Sequence, residues 1–345
     1  NNFFIINFIT FSYVFTFLYR KKKNNDRKKS FLYGWIFGLG YFLSSLYWIS
    51  ISLTFDENFK FLIPIALIII PAFLAIFYGL ATYFFFIINV KKPISNFFLF
   101  ALLFGITEFI RGNILTGFPW NLIVYSLTNQ IEILQVISLI GTYGLNILCI
   151  SLFISPAIFI LRESKIEMFV FIFFILSPII LYTAGSIKIK SFQKSDLSKN
   201  NYKIRVIGST IGLERFYKNI DTLAVLNELI KISEPNLNEK TLFIWPEGII
   251  PDTYQKQLIL YSDLFKNNFT KNHLIGLGIT NRLENRKKYK YFNSFSVFDS
   301  NLNLIKNYDK VKLVPFGEFI PFENFLNKIG LKTITNNFGS FTSGE

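Results

Sequence analysis

The chain has 345 residues but only one cysteine, Cys149, one histidine, His273, and one methionine. A single Cys excludes any disulfide within the chain. One Cys with one His cannot furnish the ligand set of a standard zinc site, so no metal and no cofactor is expected. Acidic residues are also scarce, with 22 Asp and Glu against 36 Lys and Arg, a net charge of +14. Basic charge alone identifies no partner. Much of it lies in short connections beside apolar runs, where it has a topological role, and no nucleic-acid partner is inferred. What the chain has in excess is apolar surface: 51% of its residues are hydrophobic and 43 are Phe. That is far above ordinary globular usage.

The apolar residues are unevenly distributed, which divides the chain into an expected transmembrane domain, 1–187, and a mixed-polarity domain, 188–345. A spanning helix needs about 20 mainly apolar residues. Six runs qualify or nearly qualify: Phe3–Tyr19, Phe31–Leu53, Phe61–Val90, Phe97–Ile110, Ile131–Leu161 and Ile166–Ile187. Pro64, Pro71 and Pro156 are candidate kinks in the longer ones. In the first run the basic residues follow the apolar stretch and no small-residue cleavage site is visible, which argues against a signal peptide. Connections alternate in charge. The first carries Arg20, Lys21, Lys22, Lys23, Arg27, Lys28 and Lys29, the third Lys91 and Lys92, and the fifth Arg162 and Lys165; the second and fourth carry only Lys60 and Arg111. With the basic loops in the cytoplasm, the second domain emerges on the opposite side.

Two features inside the apolar half stand out. Glu108 and Arg111 are three residues apart, share a helix face and can pair. They read either as an interfacial helix end with Trp120 in an aromatic belt, or as the lining of a cleft. Cys149 lies between Leu148 and Ile150 in mid-span and reads as an inert packing residue.

From Lys188 onward strands alternate with helical patterns, which argues for an α/β layered domain. Residues 202–207 and 241–245 read as strands, as does 273–280. Asp221–Ile232 reads as a helix with Leu223, Leu226, Leu229 and Ile230 on one face. Tyr291–Phe298 and Leu302–Tyr308 read as a hairpin across Asp299, Ser300 and Asn301. Three stretches can carry chemistry: Trp245-Pro246-Glu247, where a strand places a carboxylate at the sheet rim; Tyr308-Asp309-Lys310; and the loop Leu313-Val314-Pro315-Phe316-Gly317-Glu318-Phe319-Ile320-Pro321. Taken singly, each has an ordinary reading as a solvated strand end or a core-capping loop.

In this order and spacing, the three stretches resemble the nitrilase, or carbon–nitrogen hydrolase, superfamily. The run from Tyr308 to Pro321 resembles one branch, the bacterial apolipoprotein N-acyltransferases. So do Glu108-Phe-Ile-Arg111-Gly with Thr116-Gly-Phe-Pro-Trp120, and Gln135–Leu145, in the apolar half. The resemblance implies a multi-span α-helical membrane domain followed by an α/β nitrilase-like (α-β-β-α sandwich) domain. It implies Glu247 as general base, Lys310 as oxyanion stabiliser, and Glu318 as a second acid supporting Lys310. It places Asn293 and Phe216 at the substrate pocket, with Phe216 where the family often has Trp, and Pro315, Phe316 and Gly317 beside them. The implied reaction is ping-pong acyl transfer through a Cys thioester, from a phospholipid donor to the α-amino group of diacylglyceryl-modified apolipoproteins, at the bacterial inner membrane with the catalytic domain periplasmic.

The family's nucleophile has no counterpart here: it falls downstream of Glu318, and Cys149 is in a span and out of order. The chain lacks an initial Met and stops at Thr342-Ser343-Gly344-Glu345, so a fragment at both ends is expected, itself inactive. Alternatives are a membrane-tethered amidase, an acyltransferase with another acceptor, a transporter or receptor with a periplasmic binding domain, and an inactive scaffold.

Overall fold

The computed structural model describes residues 4–24, 27–54, 57–193, 202–212, 221–251, 253–285, 288–315, 317–321 and 340–345. The chain divides into two compact units, Asn1–Ser195 and Asp196–Glu345.

All six apolar runs are helical. They form α1 (Phe4–Lys23), α2 (Ser30–Leu46, continued by a 3-10 stretch to Thr54), α3 (Ile63–Ile87), α4 (Pro93–Arg111), α6 (Ile137–Ile160) and α7 (Lys165–Gln193), with a one-turn α5 (Ile131–Leu134) before α6. Among the described residues five helices are long and apolar enough to cross a membrane; α1 falls short because Arg20–Lys23 fill its last turn. The short fourth run gains residues 93–96 at its start and Arg111 at its end, which brings α4 to 19 residues. Pro64 sits in the first turn of α3, where a missing N–H costs nothing, while Pro71 and Pro156 lie inside their helices. The break in α6 falls instead at Gly141, at φ 70° and ψ 171°.

These helices bury aromatic rings against one another. Phe15, Phe85, Phe97, Phe100 and Phe104 are inaccessible and meet largely edge to face, as between Phe15 and Phe100 at 5.4 Å. Edge-to-face pairs add about 0.5–1.5 kcal/mol beyond area burial. The opposite faces, such as Ile65, Ile68 and Ile69 of α3, are exposed. An apolar helix with a bare apolar face is what a lipid environment accommodates, and the chain is a membrane protein.

The second unit is built on one five-stranded sheet in the order β1 (Lys203–Val206), β2 (Thr241–Glu247), β3 (His273–Asn285), β4 (Lys288–Phe298), β5 (Leu304–Asp309). β1, β2 and β3 run parallel, and β3, β4 and β5 are antiparallel neighbours. Two helices, α8 (Thr222–Ser233) and α9 (Ser262–Asn268), belong to the same unit. Asp221 caps α8 by accepting the Leu223 N–H at 2.9 Å. The buried face of α8 is Val225, Leu226, Leu229 and Ile230; Leu223, expected on that face, is exposed in the first turn. Phe243 and Trp245 of β2 alternate inward with Ile275, Leu277 and Ile279 of β3, and the Trp245 indole N–H donates to Ser233 Oγ at 2.9 Å. His273 is structural: its Nδ1 accepts from the Thr270 N–H at 3.1 Å, and Nε2 lies 2.9 Å from the Asn236 carbonyl.

Candidate active site

The end of β2 shapes the site. Pro246 has no N–H to give a ladder, and the β2–β3 register shifts between Ile244 and Glu247. Glu247 therefore faces Gly278 at the sheet rim, half exposed or more. A Cβ at Gly278 would stand 2.7 Å from the Glu247 Cα, so only glycine allows this approach.

Asn293 comes from the middle of β4, opposite Thr280. Its Nδ2 donates to Glu247 Oε1 at 2.6 Å and to Glu318 Oε1 at 2.5 Å. Lys310, just past β5, donates to the same Glu318 oxygen at 2.8 Å and stands 3.9 Å from Glu247 Oε1. The Lys310 N–H also donates to the Asn293 carbonyl at 2.8 Å, which fixes the backbone of one residue against the other. Glu247, Asn293, Lys310 and Glu318 thus form one connected group.

The loop after β5 holds Glu318 in place by folding on itself. Glu318 Oε2 accepts the Val314 N–H at 2.7 Å, and its own N–H donates to the Val314 carbonyl at 2.8 Å. Pro315 bridges to Phe319, and the Gly317 N–H reaches the Val314 carbonyl at 3.3 Å. These two residues, expected beside the substrate, form the turn that carries Glu318. Residues 341–344 run alongside: Phe341 N–H donates to Glu318 O, Thr342 N–H to Tyr291 O and Gly344 N–H to Lys310 O. Burial alone would raise the Glu318 pKa, but donation from Lys310, the Val314 N–H and Asn293 outweighs it and holds the carboxyl below its usual range. Phe216 and Phe316 lie outside the described residues.

A polar cluster on the opposite face of the hairpin supports Lys310 and has no motif signal beyond the Asp preceding that lysine. Asp309 Oδ1 accepts from Ser294 Oγ and from Asn307 Nδ2, the latter at 2.8 Å. Gln255 Nε2 donates to Ser296 Oγ and to Asn307 Oδ1, each at 2.7 Å. Buried polar groups are satisfied in this way, and the register that aims Lys310 is fixed.

In the helical unit, Glu108 and Arg111 stand in the last turn of α4 and are fully buried among neighbouring side chains. Glu108 accepts from the Tyr78 hydroxyl at 2.7 Å and from Asn146 Nδ2, and lies 3.7 Å from an Arg111 nitrogen. Arg111 donates to the carbonyls of Phe118 and Trp120 at 2.7 and 2.8 Å. Trp120 is partly exposed and packs edge-on against Trp48. Cys149 is buried in the same bundle.

A carboxylate beside an ammonium at a sheet rim, bridged by an amide and backed by a second carboxylate, following a bundle of apolar helices, defines a membrane-anchored protein with a nitrilase-like α/β unit. Comparison with known proteins agrees. The family model for the apolipoprotein N-acyltransferase N-terminal domain matches residues 1–154. The apolipoprotein N-acyltransferase of Rickettsia prowazekii is 31% identical over 358 residues, covering 99% of this chain and 67% of that protein. Those of Rhodopseudomonas palustris and Brucella melitensis are 29% and 28% identical, each over 90% of this chain. The chain belongs to the apolipoprotein N-acyltransferase family. It spans about three fifths of the length of the Rhodopseudomonas and Brucella relatives, 60% and 59%.

Proposed function

We propose that this protein serves N-acyl transfer: an acyl chain passes from a phospholipid to a cysteine thiol, and then from the thioester to the α-amino group of a diacylglyceryl-cysteine at the N-terminus of a lipoprotein. The observation that carries the reading is the shared contact of Asn293 and Lys310 with Glu247 and Glu318.

In this reading Glu247, the more exposed carboxylate, takes the thiol proton. The thiolate attacks the donor ester carbonyl, and Lys310 stabilises the oxyanion that develops. Collapse expels the lysophospholipid alkoxide, which takes the proton back from Glu247. The amine of the acceptor then attacks the thioester, loses its proton to Glu247 and leaves as the amide, restoring the thiol. Glu318 holds Lys310 and Asn293 in place and does not exchange protons. The lone thiol in the sequence, Cys149, is buried in α6. The nucleophile in this proposal is therefore a cysteine outside these 345 residues.

The proposal places the helices, residues 1–187, in the bacterial inner membrane and the α/β domain, 188–345, on the periplasmic side, where both lipid substrates are met at high local concentration. Phe216, Phe316, Pro315 and Gly317 are proposed at its lipid-facing mouth. In the full-length protein, Glu247→Gln should form no acyl-enzyme from phospholipid while keeping its fold. Accumulation of acyl-enzyme at the normal rate would remove Glu247 as the base.

A further inference from the structure

Arg282 lies on β3 in the face that carries the site. Side chains alternate along a strand, so Gly278, Thr280 and Arg282 share the side on which Glu247 and Asn293 meet. The guanidinium carbon sits 4.3 Å from the centre of the Tyr254 ring and 4.8 Å from that of Tyr289. Tyr254 is set by its bridge to Thr280, and Tyr289 by the β4 ladder. Yet among the described residues Arg282 has no hydrogen-bond acceptor and no carboxylate at ion-pair distance. Glu284, two residues along the same face, does not pair with it. Two rings thus hold a half-buried cation whose N–H groups have no acceptor among the described residues. A guanidinium matches a phosphate or carboxylate in two-pronged fashion.

We propose that Arg282, clasped by Tyr254 and Tyr289, is an anion subsite that takes the phosphodiester of the phospholipid acyl donor. The inference rests on the acyl-transfer reading above. Arg282 faces Tyr291, one ladder step of two residues from the Thr280–Asn293 pair, or about 7 Å along the strand. A glycerol backbone separates the ester carbon of a phospholipid from its phosphorus by a comparable span. With the ester carbonyl beside Glu247 and Lys310, a phosphate that distance along the strand falls at Arg282. The diacylglyceryl-cysteine acceptor has no phosphate, so Arg282 serves only the first half-reaction. An inorganic phosphate ion presents the same oxygens, and the test separates the two sources.

The full-length protein in detergent micelles is acylated either by dihexanoylphosphatidylglycerol or by p-nitrophenyl hexanoate, which has no phosphate. Arg282→Gln should lower the ratio of the phospholipid rate to the nitrophenyl-ester rate by about 10- to 100-fold, the worth of a hydrogen bond to a charged group. Arg282→Lys should recover part of it. An unchanged ratio overturns the proposal. A second arm reads binding without turnover in the Glu247→Gln background. Dihexanoylphosphatidylglycerol should bind more tightly than dihexanoylglycerol, and the preference should vanish when Arg282→Gln is added. Equal binding of the two lipids overturns the subsite. Competition by inorganic phosphate as strong as by the phospholipid overturns its assignment to the lipid. If no donor acylates the native protein, the acyl-transfer reading fails, and the binding arm still decides Arg282.

Discussion

Glu318 holds Lys310 by a 2.8 Å ion pair while its other oxygen caps the Val314 N–H at 2.7 Å. One carboxylate therefore fixes both the ammonium and the loop. The Glu318 pKa is lowered in the folded protein, so its contribution to stability is present above the unfolded carboxylate value of about 4.3 and is lost as pH falls through the lower folded value. The protection of the amides in 313–321, relative to their intrinsic exchange rates, should fall below about pH 4. In Glu318→Gln that acid step should disappear and exchange should already be fast at neutral pH. The same pH profile in both proteins would mean Glu318 does not hold the loop.

Gly278 leaves no room for a side chain against the Glu247 backbone. Gly278→Ala should displace the end of β2, costing about 1–3 kcal/mol as overpacking does, and should slow acyl-enzyme formation more than it lowers the unfolding midpoint. A variant with wild-type acylation would show that the Glu247 position is not critical.

The buried Glu108–Arg111 pair should be costly to split. Glu108→Leu leaves a buried guanidinium with no counter-charge and should destabilise the bundle by about 3–5 kcal/mol. The cycle with Arg111→Met should show coupling of about 0.5–3 kcal/mol, read by denaturation in mixed micelles. Strict additivity would mean the 3.7 Å pair contributes nothing.

The proposed topology puts Lys28 and Asn301 on opposite sides of the membrane. With Cys149 replaced by Ala, a cysteine at position 28 should resist an impermeant maleimide applied outside intact cells whose outer membrane has been permeabilised. One at position 301 should react. Labelling of position 28 would invert the orientation.

Much of this was legible in the sequence, because it is written in composition and local pattern. The apolar runs become helices, and the strand at 241–245 and the hairpin across Asp299 appear in place. Glu247, Lys310 and Glu318 meet as their motifs imply. The rest depends on contacts between residues distant in sequence. That β2 carries on through Pro246 to Glu247 depends on a register shift against β3. That β3 continues to Asn285 depends on pairing with Lys288–Phe298, since Arg282 and Glu284 interrupt any apolar pattern. Leu223 fits a helical face by spacing yet lies in a first turn that the core does not reach. Glu108 and Arg111 gave a pair by spacing alone, but Tyr78 and Asn146, which bury it, come from other helices.

The two carbonyls held by Arg111 have a consequence for the backbone between Gly112 and Gln130. That stretch leaves regular helix, with Leu115, Thr116 and Asn121 at positive φ. Peptide groups released from a helix need other partners, and here side chains supply some of them. Arg111 works as a built-in solvent molecule, tethered to α4 and always present. Tyr41 fills the same office for Asn121, its hydroxyl reaching the carbonyl at 3.1 Å. With part of its hydrogen bonding carried by side chains, the connection between α4 and α5 can be irregular and still hold a fixed shape.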